Sequence, residues 1–213
     1  MRNVLLSIDT SAGSSVALTR VEGIPGAAES SSADTMKHAE VIGTLIASCL
    51  EQMGASATDV SAVVAGVGPG PFTGLRVGLA AASAFAAGRG IPLLPVVSHD
   101  AIAFDALEEV EGPIIVVTDA RRRELYWSIY EGWTNAGLPN RIFGPALSKP
   151  DEVPTAHEGV DLTRWDSAEV SAGLLGIIAA RMMAAGIPFE PFEPLYLRSP
   201  DVTMPGTPKR VNS

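Results

Sequence analysis

The stretch GVGPGPFTGLRVGLAAASAF at 66–85 has the residue types of a phosphate cradle, with closely spaced glycines running into a helix start. In such turns several backbone N–H groups can converge on one anion. The specific templates fail here. A Walker A loop needs G-x-x-x-x-G-K-[ST], but Gly70 is followed by Pro71, Phe72, Thr73, Gly74, Leu75 and Arg76, with no lysine in place. A dinucleotide fingerprint would need glycine at 71 or 73, where Pro71 and Thr73 stand. Without those templates, the stretch reads as a Pro/Gly corner joining a buried strand to a helix.

Other chemistry-bearing residues are few. Asp9, Thr10 and Ser11 form a hairpin corner that could contact a metal or phosphate, or could satisfy turn N–H groups. His38 has Ile42 four residues later, so no His-x-x-x-His metal pair exists, and His38 reads as a helix-entry residue on the polar side. His99 and His157 have no ligand cluster in sequence, and Cys49 lies on an apolar helix face without a base beside it. These residues predict no metal and no cofactor. Arg121, Arg122 and Arg123 are the strongest basic run; they read as a solvated turn, with an acidic partner or an anionic ligand as the alternative.

Short apolar segments must position these groups. Val4–Ile8 and the alternating Ser15–Val21 predict two strands, and the polar segment 29–35 a third strand or a loop. Apolar residues at 41, 42, 45, 46, 49, 50 and 53 predict an amphipathic helix over Lys37–Met53, stopped by Gly54. Val60–Val67 predicts a strand, Thr73–Gly88 a helix with Thr73 as N-cap, and Ile91–Val97 another strand. In that second helix Ala, Gly, Ser and Thr fill eleven of sixteen positions, which lets a neighbouring element approach closely. The opening then echoes: strand Pro113–Thr118 ends at Asp119, and Glu124–Tyr130 returns as Ser15–Val21 does. After strand 142–147 and a loop through Asp166, one helix follows over Ser167–Ala185, so the second copy is cut down. The Pro-rich tail from 188 is expected to hold no long regular element, with its last dozen residues mobile.

The chain has 213 residues, 46% of them hydrophobic, which suits one large domain or two small lobes. Its net charge of −9 argues against binding tRNA or DNA alone, because neutralising phosphates needs surplus Lys and Arg. A single cysteine allows no intrachain disulfide, and neither a signal peptide nor a membrane span is expected. A cytoplasmic setting follows as the expectation.

Three stretches, LLSIDTSAGSSVAL, AGVGPGPFTGLRVGLAAASAFAAGRGIPLLPVVS and VVTDARRRELYWSIY, together with LYLRSPD near the end, resemble the TsaB (formerly YeaZ) family in order and spacing. The resemblance implies an α/β fold of the ASKHA (actin-like, sugar-kinase-like) type, with two lobes of duplicated mixed sheets and a reduced second lobe. On that reading 1–97 is the N-terminal lobe with the pairing helices, 98–190 the reduced lobe with its helix, and 191–213 the tail. It further implies a non-catalytic subunit that binds and activates TsaD in N6-threonylcarbamoyladenosine (t6A) synthesis beside the tRNA anticodon. TsaE, an ATPase, would join the complex, a homodimer would form when TsaD is absent, and tRNA would be contacted mainly through the complex. Family members pair through N-lobe helices. Here that implies a seam with His38, Val41, Ile42 and Leu45 on one helix and Arg76, Leu79 and Ser83 on the next. Two competing readings are a small ATP-dependent kinase using Asp9 on a metal, and a metallopeptidase, which the missing histidine pair opposes.

Overall fold

A computed structural model describes residues 4–21 and 27–198. Its first sheet comprises β1 (Val4–Asp9), β2 (Ser14–Arg20), β3 (Ala27–Ser32), β4 (Val60–Gly66) and β5 (Leu93–Val96), in the order β3-β2-β1-β4-β5. The β1–β2 and β2–β3 pairs are antiparallel, whereas β4 and β5 run parallel to β1 because helices carry the chain between them. Those helices are α1 (His38–Met53) and α2 (Phe72–Arg89), followed after β5 by α3 (Ser98–Glu109). Gly54 and Gly90 end α1 and α2 in left-handed conformation, returning backbone N–H groups to the last carbonyls.

The second sheet comprises β6 (Pro113–Asp119), β7 (Leu125–Trp133), β8 (Pro139–Ser148) and β11 (Thr163–Asp166), in the order β11-β6-β7-β8. A two-strand ribbon, β9 (Ala156–His157) and β10 (Val160–Asp161), precedes β11, and α4 (Ala172–Ala185) follows it. Reading outward from the central strand, β8-β7-β6-β11 repeats β3-β2-β1-β4, with the same antiparallel and parallel senses. The echo at Asp9 and Asp119 is therefore a duplication of sheet topology. Among the described residues the second copy has no counterpart of β5, and a 3-10 turn with the small ribbon replaces the helix that α1 supplies in the first.

The first sheet is covered on both faces, so its inner strands read as apolar runs with almost no alternation. Val4, Leu6 and Ile8 face a core closed by Cys49 of α1 and by Leu75, Leu79 and Ala82 of α2. Leu5, Ala62 and Val64 face the opposite way, into a core shared with α3, α4 and Ile114 and Val116 of the second sheet. This second core joins the two halves. Ser171 caps α4 by accepting from Leu174 N, and Glu29 of β3 accepts from Ser171 Oγ and Ala172 N, pinning that helix start to the first sheet.

Sequence reasoning missed α3 altogether: its exposed polar stripe is short, Asp105, Glu108 and Glu109 in the last turns, while Ser98 and His99 are buried together with Ala101, Ile102, Ala103, Phe104, Ala106 and Leu107. It also placed the α2 N-cap at Thr73, whereas Pro71 holds that position and Thr73 lies inside the helix. Within the predicted mobile tail, residues 199–213 lie outside the described residues.

Candidate functional site

The Asp9-Thr10-Ser11 corner and the glycine run are two sides of one contact. Gly66, Gly70, Gly74 and Gly78 recur every four residues, and each backs onto the corner. A Cβ on Gly66 would lie 1.8 Å from Asp9 Oδ2, and one on Gly70 would lie 2.7 Å from Ser11 Cα. On Gly74 it would lie 2.5 Å from Thr10 O, and on Gly78 2.1 Å from Thr10 Oγ1. No side chain fits at those distances. Thr10 Oγ1 fastens the contact, donating to Gly74 O at 2.7 Å and accepting from Gly78 N at 3.1 Å. The space that a phosphate cradle would leave for an anion is filled by the protein's own hairpin.

Asp9 is 1% exposed and fully engaged. Its Oδ1 accepts from Ser11 N (2.8 Å) and Ser11 Oγ (2.6 Å), and its Oδ2 accepts from Ser98 Oγ at 2.5 Å. Ser98 Oγ in turn accepts from Gly68 N, so the carboxylate links β1, the glycine corner and the start of α3. Burial raises its pKa, with the Ser11 and Ser98 hydrogen bonds opposing that shift. Asp119 occupies the equivalent corner of the second sheet but is exposed, accepting from Arg121 N and pairing with the Arg121 guanidinium at 3.7 Å. The two corners face a cleft of about 560 Å³, whose lining includes Thr10, Ser11, His38, Gly74, Asp119 and Arg121.

The expectation that His38 sits on the polar side is overturned. His38 is 7% exposed, its Nδ1 is 2.7 Å from Ser14 Oγ, and its Nε2 faces Gly74. Burial lowers its pKa, against the pull of Asp34 and Asp9, so the ring is neutral at physiological pH. Ile42 and Leu79 are likewise buried in the free chain. Val41, Leu45 and Ser83 are half-buried and Arg76 is exposed. The Arg76 guanidinium stacks 3.7 Å above the Phe72 ring, and its Nε donates to Tyr196 Oη. His99 is buried between Ser128 Oγ (2.8 Å) and Thr118 Oγ1 (2.9 Å), and Cys49 Sγ donates to Val16 O. No group of three or more His, Cys, Asp or Glu among the described residues is arranged to hold a metal ion.

Sequence reasoning missed Ser98 as a ligand of Asp9 and the pairing of Thr10 with the glycine ladder. The ladder left a readable trace in the four-residue spacing of its glycines, whereas Ser98 left none.

Two sheets of repeated topology, meeting at paired acidic hairpin corners across a cleft, define an ASKHA-type two-lobe protein. A family model described as TsaD, tRNA N6-adenosine threonylcarbamoyltransferase, matches residues 32–165. An uncharacterized protein of Mycobacterium tuberculosis (strain H37Rv) is 36% identical over 206 residues, 93% of each chain. The Escherichia coli K12 tRNA threonylcarbamoyladenosine biosynthesis protein TsaB is 28% identical over 192 residues, covering 76% of this chain and 81% of that one. In fold, the chain superposes on the solved structure of YeaZ from Pseudomonas aeruginosa with a TM-score of 0.76, covering 92% of this chain and 100% of the other at 24% identity. The chain belongs to the TsaD-like family described by that model, and among its relatives it is similar to E. coli TsaB.

Proposed function

We propose that this chain takes part in t6A synthesis as the partner subunit that binds and activates a TsaD transferase, contributing no reacting group itself. The observation that carries this reading is the internal engagement of Asp9. The carboxylate an ATP-dependent enzyme of this fold would direct at a metal–phosphate here has both oxygens bound to Ser11 and Ser98. That arrangement also weighs against the small-kinase reading. The E. coli relative supports the pathway by its name. TsaE as a further member and self-pairing in the absence of TsaD belong to the same proposal.

The pairing seam we propose lies on the outer faces of α1 and α2. Arg76, Ala80, Ser83, Ala84 and Ala87 share one stripe of α2, and Ala80, Ala84 and Ala87 are exposed. Val41 and Leu45 supply half-buried apolar surface on α1, while His38, Ile42 and Leu79 support the seam from beneath. Leu45 also packs on the core, so a fully exposed position gives a cleaner test. In Ala84→Glu the free chain should fold unchanged, while a carboxylate buried unpaired in the seam costs several kcal/mol, or about 100-fold or more in Kd. Co-elution with TsaD and t6A formation should both be lost. An Ala84→Glu protein that assembled and supported modification like the wild type would overturn the seam, and turnover of ATP by the purified chain alone would overturn the non-catalytic role.

A further inference from the structure

The β6–β7 corner carries a feature that the assembly reading does not use. Arg121, Arg122 and Arg123 have φ values of 64, 53 and 64°, three consecutive side chains in left-handed conformation. Glycine enters that region freely, and a residue with a Cβ does so at a steric cost. The turn is closed by Ala120 N donating to Glu124 O and Glu124 N donating to Arg121 O, neither of which needs an arginine side chain. Strain of this kind is kept where the side chains have work to do.

Their surroundings indicate what that work is. Arg122, Arg123, Lys149 and Arg198 line an open groove of about 610 Å³, with Glu124 as its one carboxylate. Lys149 arrives because β8 pairs Ser148 with Leu125, and Arg198 reaches in from the C-terminal segment, where it pairs with Glu124 and donates to Arg121 O. The other nearby carboxylates are Asp119, paired with Arg121, Glu152, which accepts from Lys149 N, and its neighbour Asp151. Five of the fifteen Lys and Arg in a chain of net charge −9 are thus gathered at one corner.

We infer that this groove is a phosphate-backbone contact for RNA, taken here as the tRNA of the modification complex. The inference rests on the reading given under Proposed function. Guanidinium forks bind phosphate oxygens in pairs, and an acidic chain repels RNA everywhere except where cations are concentrated. The groove contributes affinity and register; base identity is read elsewhere, because phosphate contacts carry no sequence information.

The test uses the assembled complex of this chain with TsaD and a fluorescent tRNA transcript, titrated by anisotropy from about 50 to 200 mM salt. The triple variant Arg122→Gly, Arg123→Gly, Lys149→Gln should assemble with TsaD as the wild type does. Its tRNA affinity should fall about 10-fold or more, with the slope of log K against log salt shallower by about 2–3. Relief of the left-handed strain should raise its Tm by about 2–4 °C. A second variant, Arg123→Gln with Lys149→Gln, keeps the turn otherwise intact and should flatten the slope by about 2. Unchanged affinity and slope in both variants would overturn the RNA contact. Loss of TsaD assembly by a folded variant would overturn it in favour of a protein-docking surface. Failure of the wild-type pair to assemble would instead overturn the partner-subunit reading, and this inference with it.

Discussion

The seating of the Thr10 corner on α2 predicts a steep and specific response to Gly78→Ala. In an ordinary helix interior that change stabilises by about 0.5–1 kcal/mol. Here the added Cβ would lie 2.1 Å from Thr10 Oγ1 and 3.1 Å from both Thr10 Cβ and Cγ2. Rotating the hydroxyl away breaks its bonds to Gly74 O and Gly78 N, about 1 kcal/mol each, and still leaves Thr10 Cβ too close, so the helix must shift as well. Shifting the helix disturbs the packing of Leu75 and Leu79, an overpacking cost of about 1–3 kcal/mol. After the helix-propensity gain, the net loss is about 2–4 kcal/mol, which for a chain of this size lowers Tm by roughly 5–15 °C. Thermal unfolding followed by circular dichroism measures it. Gly88→Ala in the same helix is the control: its Cβ meets nothing within 4 Å, so stability should rise by about 0.5–1 kcal/mol. In a Thr10→Ala background, which removes Oγ1 and Cγ2, the Gly78→Ala penalty should shrink to about 1 kcal/mol or less, a coupling of about 2 kcal/mol. A Gly78→Ala protein melting within 2 °C of wild type, or a penalty unchanged by Thr10→Ala, would refute the ladder argument.

Two further perturbations bear on the buried ionisable groups. His99, pushed down to about 3 by burial with Arg141 adding to the effect, is neutral in the folded chain, while the unfolded chain protonates it below about 6.5. Its contribution to stability is therefore lost as pH falls, by about 1.4 kcal/mol per unit between 6.5 and 3; His99→Gln should remove that slope in urea unfolding, and an unchanged pH profile would contradict the assignment. Asp9 has the opposite sign. With its folded pKa raised, the folded chain holds the proton longer, so stability falls as pH climbs from about 3.8 through the raised value. Asp9→Asn should abolish this trend, and Asp9→Ala should be less stable than Asp9→Asn by about 1–3 kcal/mol at neutral pH, because Ser11 and Ser98 lose their acceptor. Equal stability of the two variants would count against the Asp9 network as a clamp.

The frame was legible because its signals are local. Apolar runs over 4–8, 60–67 and 113–118 marked the central strands, the i, i+4 stripe marked α1, and Asp9 and Asp119 just beyond two of them marked the repeat. What escaped depends on burial from all sides. The segment that forms α3 buries Ser98 and His99 beside its apolar residues, and His38, in a polar-looking KHAE context, is covered because β2 brings Ser14 and α2 brings Gly74 against it. A sequence shows periodicity along one element; it does not show which two elements will meet. The residues proposed for the seam illustrate the limit, since Ile42 and Leu45 share an apolar stripe, yet Ile42 is buried while Leu45 retains an accessible edge.

The glycine run shares its composition with phosphate loops but not its purpose, and the sequence alone shows only that the specific templates fail. Glycines that admit a phosphate and glycines that admit another segment of backbone satisfy one steric requirement, the absence of a Cβ at close approach. The distinguishing fact is spacing. Phosphate loops place their glycines to turn N–H groups inward around one point, whereas 66, 70, 74 and 78 advance along a line, one per helical turn once α2 has begun. A line of missing Cβ atoms is a track for something extended. The extended object is the chain's own 9–11 corner, whose Asp9 and Thr10 side chains lie against Gly66 and Gly78 at the two ends. Because that corner comes from a fully buried strand of the first sheet, displacing it to admit an anion would expose Asp9, break its bond from Ser98 Oγ and break the Thr10 bonds to Gly74 O and Gly78 N. The geometry that makes the run conspicuous therefore keeps it closed to an anion.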